Sequence, residues 1–86
     1  ISIAGELFFM FLEKIKPMIA EKFGIDEAQI TADTRIIEDL GADSLDLVDM
    51  LTIIEDDFNI VIPDEAAMNM RTVGDVVNFM QKASEQ

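Results

Sequence analysis

The residues whose types and spacing could support chemistry in this sequence are Asp43, Ser44 and Asp46, which follow Gly41 closely. Gly41 interrupts the preceding segment, Asp and Ser are preferred helix N-caps, and Asp46 adds an anion to the first turn. Ser44 is therefore predicted to lie beside unpaired backbone N–H groups, at the positive end of a helix dipole. A phosphate ester there would occupy the place where a helix best accommodates an anion. The alternative is that Ser44 serves only as the cap.

Catalysis by this serine has no support from the rest of the composition. The sequence contains no His and no Cys. A Ser–His pair, a thiolate nucleophile, a disulfide framework and a thiolate metal site are therefore excluded. We predict that the protein is not an enzyme and that it has neither catalytic residues nor a metal site.

The charge of the chain is strongly one-sided. The chain has eighteen acidic and six basic residues, for a net charge of −12. Residues 36–70 include ten acids and no Lys or Arg. Such a surface repels nucleic acids and anionic membranes and attracts proteins with basic patches. We expect basic-patched partners, no nucleic-acid binding and no membrane insertion. The alternative, that the acids only keep a small domain in solution, explains the sign but not the stretch without bases.

The elements that position these residues are predicted to be helices. Eighty-six residues, half of them hydrophobic, suffice for one small domain with a packed core. Apolar residues at three- and four-residue spacing predict helices from about residue 6 or 10 to 23, and over 44–58, 63–70 and 72–83. The expected fold is all-α, a small four-helix bundle with three longer helices and a short one. A long loop, anchored by Ile30 and Ile36, joins the first two helices.

The N-terminal part carries two further predictions. Residues 1–9 are apolar without a basic residue, which makes a poor secretory signal. Because Met10 is a plausible native start, residues 1–9 are expected to be an extension or an appended remnant, and 10–86 the domain. Pro17 lies inside the first helix and predicts a kink there, or a looser turn before it.

The second helix has two apolar faces. One face supplies the core stripe of Leu47, Met50, Leu51, Ile54 and Phe58. The other places Leu45 and Val48 among acids, which is the composition of a docking surface. The predicted partner-binding residues are Asp43, Leu45, Asp46, Val48, Asp49, Glu55 and Asp56. The alternative is that Val48 is simply a half-buried surface residue.

The block from Glu38 to Leu45, which contains Asp43-Ser44-Leu45, resembles the prosthetic-group site of acyl carrier proteins. The resemblance extends from about Leu12 to the C-terminus. It includes residues 23–25 (FGI), 58–65 (FNIVIPDE) and 72–76 (TVGDV). D-S-L alone is a weak pattern, but these flanking segments and the length of the whole domain make the resemblance strong.

The resemblance implies a tethering protein. In that family, a transferase attaches 4′-phosphopantetheine to the serine that matches Ser44, and the terminal thiol of that arm carries acyl groups as thioesters. The expected partners are a phosphopantetheinyl transferase and enzymes of acyl transfer and fatty acid synthesis that have basic patches. The protein itself is expected to be a monomer in the cytoplasm. Since Asp43 and Asp46 would repel the phosphodiester, we assign these carboxylates to partner recognition.

The predicted core could also store cargo. Methionine adapts to irregular volumes, and burial of an acyl chain is favoured by about 0.8 kcal/mol per CH₂. We expect such a chain to enter between the second and last helices, where Met68 and Val73 are also placed. The residues predicted to line this acyl pocket are Met50, Ile54, Ile62, Met70 and Val76. The alternative is that these side chains only fill the core.

Other functions stay open at this point. Carriers for polyketide, lipid A or aminoacyl pathways share the serine motif, and an acidic interaction bundle could leave Ser44 unmodified. A calcium-binding module is a further alternative, because Asp39, Asp43, Asp46 and Asp49 follow one another closely. An EF-hand needs ligands at alternating positions, Gly at the sixth and Glu at the twelfth. These acids do not fit that frame.

Overall fold

The computed structural model describes residues 3–84. It contains the helices α1 (Ile3–Phe23), α2 (Ser44–Phe58), α3 (Asp64–Met68) and α4 (Val73–Ser84), and a 3₁₀ turn at Glu27–Gln29. No β-strand occurs in this part of the chain, and α1 packs most extensively against α4. The predicted all-α bundle of three longer helices and a short one is confirmed.

Helix α1 is longer than predicted. It begins at Ile3 rather than at residue 6 or 10, and Phe8, inside the predicted extension, packs against the core. The helix also continues through Pro17 without interruption, so the alternative of a looser turn before it is wrong, while the kink stays a prediction. Pro17 is exposed, and water can bond the carbonyl that its missing N–H leaves free. The boundary between residues 9 and 10 stays a prediction, and Ile1 and Ser2 lie outside the described residues.

The long connection between α1 and α2 is anchored as predicted. Ile30 and Ile36 are fully buried in the core. Asp26 caps the 3₁₀ turn, because its Oδ1 accepts a hydrogen bond from the Ala28 N–H at 3.0 Å. These anchors leave little of the connection free to move relative to the bundle.

The same connection also pairs with the start of α4, which the sequence did not predict. The Ile36 N–H donates to the Arg71 carbonyl at 2.9 Å, and the Val73 N–H donates to the Thr34 carbonyl at 2.9 Å. Arg35 and Thr72 form an isolated antiparallel bridge at this point. The first N–H groups of α4 therefore find their acceptors in the connection that leads to α2.

A capping box completes the start of α4. The Asp75 N–H donates to Thr72 Oγ1 at 3.1 Å, and the Thr72 N–H donates to Asp75 Oδ2 at 3.1 Å. Asp75 Oδ2 also accepts from the Arg71 N–H at 2.9 Å. This bond from Arg71 is the main reason that the pKa of Asp75 lies below its ordinary value of 3.8, with the Thr72 bonds adding to it against partial burial.

Stability at acid pH should depend on Asp75. A pKa that is lowered in the folded state means that the charged carboxylate stabilises the fold above about pH 4, and that this contribution is lost as pH falls through the folded pKa. We expect Asp75→Asn to cost about 1 kcal/mol near neutral pH, after allowance for partial exposure. Urea denaturation from pH 7 to pH 2 should show the two proteins converging at the acid end. A difference that stays constant over that range would contradict this prediction.

Candidate functional site

Ser44 is the first residue of α2, but it is not the cap. Asp43 Oδ1 accepts from the Asp46 N–H at 2.8 Å, and Asp46 Oδ2 accepts from the Asp43 N–H at 3.2 Å, which closes a capping box. Ser44 is exposed, and no residue in the described range hydrogen-bonds its hydroxyl. The alternative that this serine serves only as a cap is therefore wrong, because Asp43 performs that task.

The backbone just before Ser44 depends on Gly41 and Ala42. Gly41 has φ +70°, a left-handed conformation that favours glycine, although a Cβ there would meet nothing within 4 Å. The requirement for glycine is thus one of backbone conformation and not of space. Ala42 is only 4% exposed and belongs to the core. The left-handed turn at Gly41 and the buried Ala42 side chain therefore set the position of Ser44.

Arg35 and Asp39 hold the preceding turn. Asp39 Oδ2 accepts from the Arg35 backbone N–H at 2.8 Å, and Asp39 Oδ1 lies 3.0 Å from Arg35 Nη2. The side-chain and backbone bonds from Arg35 lower the pKa of the Asp39 carboxyl. Because both groups are exposed, the pair contributes more to the geometry of the turn than to the stability of the domain.

The outer face of α2 combines apolar and acidic side chains as predicted. Leu45 is 75% exposed and Val48 is 55% exposed. Asp49 and Asp56 are exposed on the same helix. Sequence reasoning missed Ile53, which is exposed at the edge of a groove beside Met18 and Lys22 of α1. Its spacing from Asp49 and Asp56 on the helix could have identified it.

The acids predicted to bind partners differ in what else they do. Asp43 and Asp46 form the capping box, and Glu55 Oε2 accepts from the Ile62 N–H at 2.8 Å. Asp49 Oδ2 lies 4.0 Å from Lys22 Nζ, a weak exposed pair, and Asp56 has no hydrogen bond or ion pair with another described residue. Asp49 and Asp56 are therefore the acids of this face that lack a role in holding the backbone.

All five residues predicted to line an acyl pocket are buried in one core cluster, namely Met50, Ile54, Ile62, Met70 and Val76. Met68 is 82% exposed, so its predicted place in the core is wrong. In the short helix α3 the half-buried positions belong to Ala66 and Ala67, which leaves Met68 facing solvent.

A surface cleft reaches this core between α2 and α3. It has a volume of about 130 Å³, and its lining includes Val48, Leu51, Glu55, Ile62 and Ala67. Ile62 belongs to both the cleft and the core cluster. This cleft lies beside α3, whereas the sequence predicted entry between the second and last helices; both the pocket and its entry stay predictions.

Two further findings concern metal binding and membrane insertion. Within residues 3–84, no three acidic side chains converge into a group that could hold a metal ion. None of the helices described there has the length and apolarity needed to cross a membrane. The acids of α2 are thus spread along one face and not gathered around a point.

Comparison with known proteins identifies the class to which this site belongs. Residues 13–80 match the family model described as phosphopantetheine attachment site, so the chain belongs to that family. Within it, the chain is an acyl carrier protein by similarity to two relatives of that name. It is 44% identical to that of Clostridium acetobutylicum over 77 residues, covering 90% of this chain and all of the relative. It is 45% identical to the acyl carrier protein of Thermotoga maritima over 69 residues, covering 80% of this chain and 85% of the relative.

Solved structures agree with this assignment. The acyl carrier protein of Enterococcus faecalis matches with a TM-score of 0.75 and 30% identity, covering 95% of this chain and 99% of that one. The crystal structure of the Thermotoga maritima protein matches with a TM-score of 0.79 and 29% identity, covering 92% of each chain. The bundle is therefore the fold of acyl carrier proteins.

The family membership establishes the prosthetic group and the general role. The protein carries covalently bound 4′-phosphopantetheine and acts as an acyl-chain carrier, as members of this family do. The chain supplies a suitable place for such a group, because the Ser44 hydroxyl is exposed, has no partner among the described residues and lies at the N-terminus of a 15-residue helix.

Proposed function

We propose that Ser44 is the attachment site and that the protein delivers growing acyl chains, held as thioesters, to the enzymes of fatty acid synthesis. The observation that supports this most directly is the exposed Ser44 hydroxyl, which the Asp43 cap leaves without an intramolecular bond. The bound group would supply the terminal thiol, which the chain itself lacks because it has no Cys.

The chain's own residues perform three tasks in this proposal. Helix α2 presents Ser44, and its dipole favours the phosphodiester by about 0.3–1 kcal/mol. The exposed side chains Leu45 and Val48 provide apolar contact with a partner. Asp49 and Asp56 steer basic-patched enzymes, including the phosphopantetheinyl transferase, into short-lived complexes. Individually weak exposed charges suit a carrier that must leave each partner quickly.

The buried cluster has a storage role in the same proposal. Met50, Ile54 and Val76 are fully buried, and Ile62 and Met70 lie at the edge of the core. An acyl chain that entered there would gain about 0.8 kcal/mol per CH₂ removed from water. We place the carrier domain at residues 10–86 and propose that it acts as a monomer in the cytoplasm.

Mass spectrometry provides the decisive test. The full chain is expressed with and without a phosphopantetheinyl transferase, and its intact mass and its fragments are measured. We expect one phosphopantetheinyl group per chain, on the fragment that contains Ser44, only when the transferase is present. An unmodified chain under both conditions would favour a non-carrying interaction bundle. Acylation assays with purified synthases would then separate fatty acid synthesis from polyketide, lipid A or aminoacyl pathways.

The acidic face can be tested by charge reversal. We expect Asp49→Lys and Asp56→Lys to slow acyl transfer by partner enzymes about three- to tenfold each at low salt, because they remove steering. The effect should shrink as salt is raised. Reversal of Asp46 or Glu55 should slow transfer too, but these acids also hold the backbone, so their thermal melts must be measured in parallel.

Glu27→Lys is the matched control for these reversals. Glu27 is exposed and lies in the 3₁₀ turn, outside α2, so it carries the same charge change at a different place. Its transfer rate should stay close to that of the parent protein. Equal rates for all the variants would contradict a steering role for the α2 acids.

A further inference from the structure

One carboxylate on α2 reaches across to the loop that follows the helix. Glu55 Oε2 accepts a hydrogen bond of 2.8 Å from the backbone N–H of Ile62, seven residues later. Glu55 is half-buried, unlike Asp56 and Asp57 beside it, which are exposed. A charged acceptor in a partly buried place forms a stronger bond than a neutral one.

The element on the far side of this bond is weakly attached by other means. Helix α3 has five residues, and its N-cap, Pro63, has no side-chain hydrogen bond. Its backbone contacts with the other helices are sparse. Segments with few packed contacts open at a low free-energy cost. Ile62 lies directly before Pro63, so the bond from Glu55 fixes the chain at the point where α3 begins.

The same two residues line the cleft between α2 and α3. Glu55 and Ile62 both border this opening, and Ile62 also closes the edge of the buried cluster. If the Ile62 N–H left the Glu55 carboxylate, α3 and the preceding loop could move away from α2. The cleft would then widen toward the buried cluster, to which Ile62 belongs together with Met50 and Ile54.

We propose that Glu55 is a positioning residue that controls access to the acyl pocket by holding Ile62 and the start of α3 against α2. This inference rests on the proposed function, because the group that passes the cleft is the acyl chain attached through Ser44. It gives Glu55 a role that partner binding by the acidic face does not require.

Two conservative variants distinguish the effect of the length of the Glu55 side chain from that of its charge. Glu55→Asp keeps the charge but is one methylene too short to meet the Ile62 N–H, whereas Glu55→Gln keeps the reach and loses the charge. Asp57→Asn, at an exposed acid of α2 that lies outside the predicted partner-binding set and has no described side-chain partner, is the matched control. The first readout is amide hydrogen exchange at Ile62 in the unmodified chain. The second is the rate at which hydroxylamine cleaves the thioester of the octanoyl-loaded chain.

We expect a large effect only in the variant whose side chain is too short to meet the Ile62 N–H. In Glu55→Asp, the Ile62 amide should exchange about tenfold faster or more, and thioester cleavage should be several-fold faster, because the bond is lost. Glu55→Gln should stay within about threefold of the parent, since the amide oxygen still accepts the bond. Asp57→Asn should match the parent protein.

Three results would overturn the proposal. Parental exchange in Glu55→Asp would show that the bond does not hold the loop, and a larger effect in Glu55→Gln than in Glu55→Asp would assign the effect to charge. Faster amide exchange at Ile62 with unchanged thioester cleavage, in a chain that loads normally, would show that the bond holds the loop but does not control access to the pocket. A chain that cannot be loaded at all would instead overturn the proposed function, whatever the exchange at Ile62.

Discussion

Ser44→Ala should abolish modification of the protein altogether. With coenzyme A and a phosphopantetheinyl transferase present, the intact mass of this variant should not change, whereas the parent protein gains one phosphopantetheinyl group. The loss should be complete because the proposed phosphodiester forms through the Ser44 oxygen, and alanine offers no atom to replace it. Acyl loading, measured by mass on the same sample, should be lost with it.

The variant should fold normally, which makes the result interpretable. The α2 cap is Asp43, and its two bonds with Asp46 do not involve the Ser44 side chain. The matched control is Ser84→Ala, at an exposed serine near the end of α4 whose hydroxyl donates to the Gln81 carbonyl. Ser84→Ala should be modified like the parent. Modification of Ser44→Ala, or loss of modification in Ser84→Ala, would place the attachment site elsewhere.

The location of this site could be predicted from residue types, but its detailed geometry could not. Gly41 and the acids near Ser44 indicated a helix start, and the helix begins at Ser44. Asp43 and Ser44 are both good caps, however, and propensity alone does not choose between them. The reciprocal bonds between Asp43 and Asp46 decide the matter, and they leave the serine hydroxyl free.

Contacts between distant parts of the chain were beyond sequence reasoning. Periodicity places Glu55 on α2, but it does not show that the following loop turns back so that Ile62 meets this carboxylate. Composition likewise suggested that Met68 is buried, because methionine usually is. Helix α3 is too short to bury more than one side, and Ala66 and Ala67 occupy that side.

The β-branched run after α2 shows how topology limits what a local sequence pattern can form. Residues 60–62 are Ile-Val-Ile, a composition typical of a strand. A single run without a partner strand cannot form a sheet, and residues 60–62 lie in an extended loop between α2 and α3. The loop follows Asn59, which has φ +55°, and buries Ile62 while Val61 is exposed. Topology thus overrides local propensity here.

Gly74→Ala should destabilise the domain, although the same change usually stabilises a helix. Gly74 is buried in the first turn of α4, and its N–H donates to the Ala32 carbonyl at 2.8 Å. A Cβ at Gly74 would lie 2.9 Å from that carbonyl oxygen and 3.3 Å from the Ala32 Cβ. Relief of this contact must push the connection between α1 and α2 away from α4 and weaken the bonds that join them.

The balance of these effects favours destabilisation. Removal of glycine from a helix gains about 0.5–1 kcal/mol, while overpacking costs about 1–3 kcal/mol and a weakened hydrogen bond costs about 0.5–1.5 kcal/mol. The expected net loss is about 0.5–4 kcal/mol, measured by urea denaturation. For a domain of this size, each kcal/mol lowers Tm by about 4–8 °C.

Gly5→Ala provides the matched control, because it is the same substitution in a helix with open space around it. No atom lies within 4 Å of a Cβ built at Gly5 in α1. Its Tm should be unchanged or slightly raised, in contrast to that of Gly74→Ala. A Tm for Gly74→Ala at or above that of the parent would show that the contact between Ala32 and α4 yields without cost.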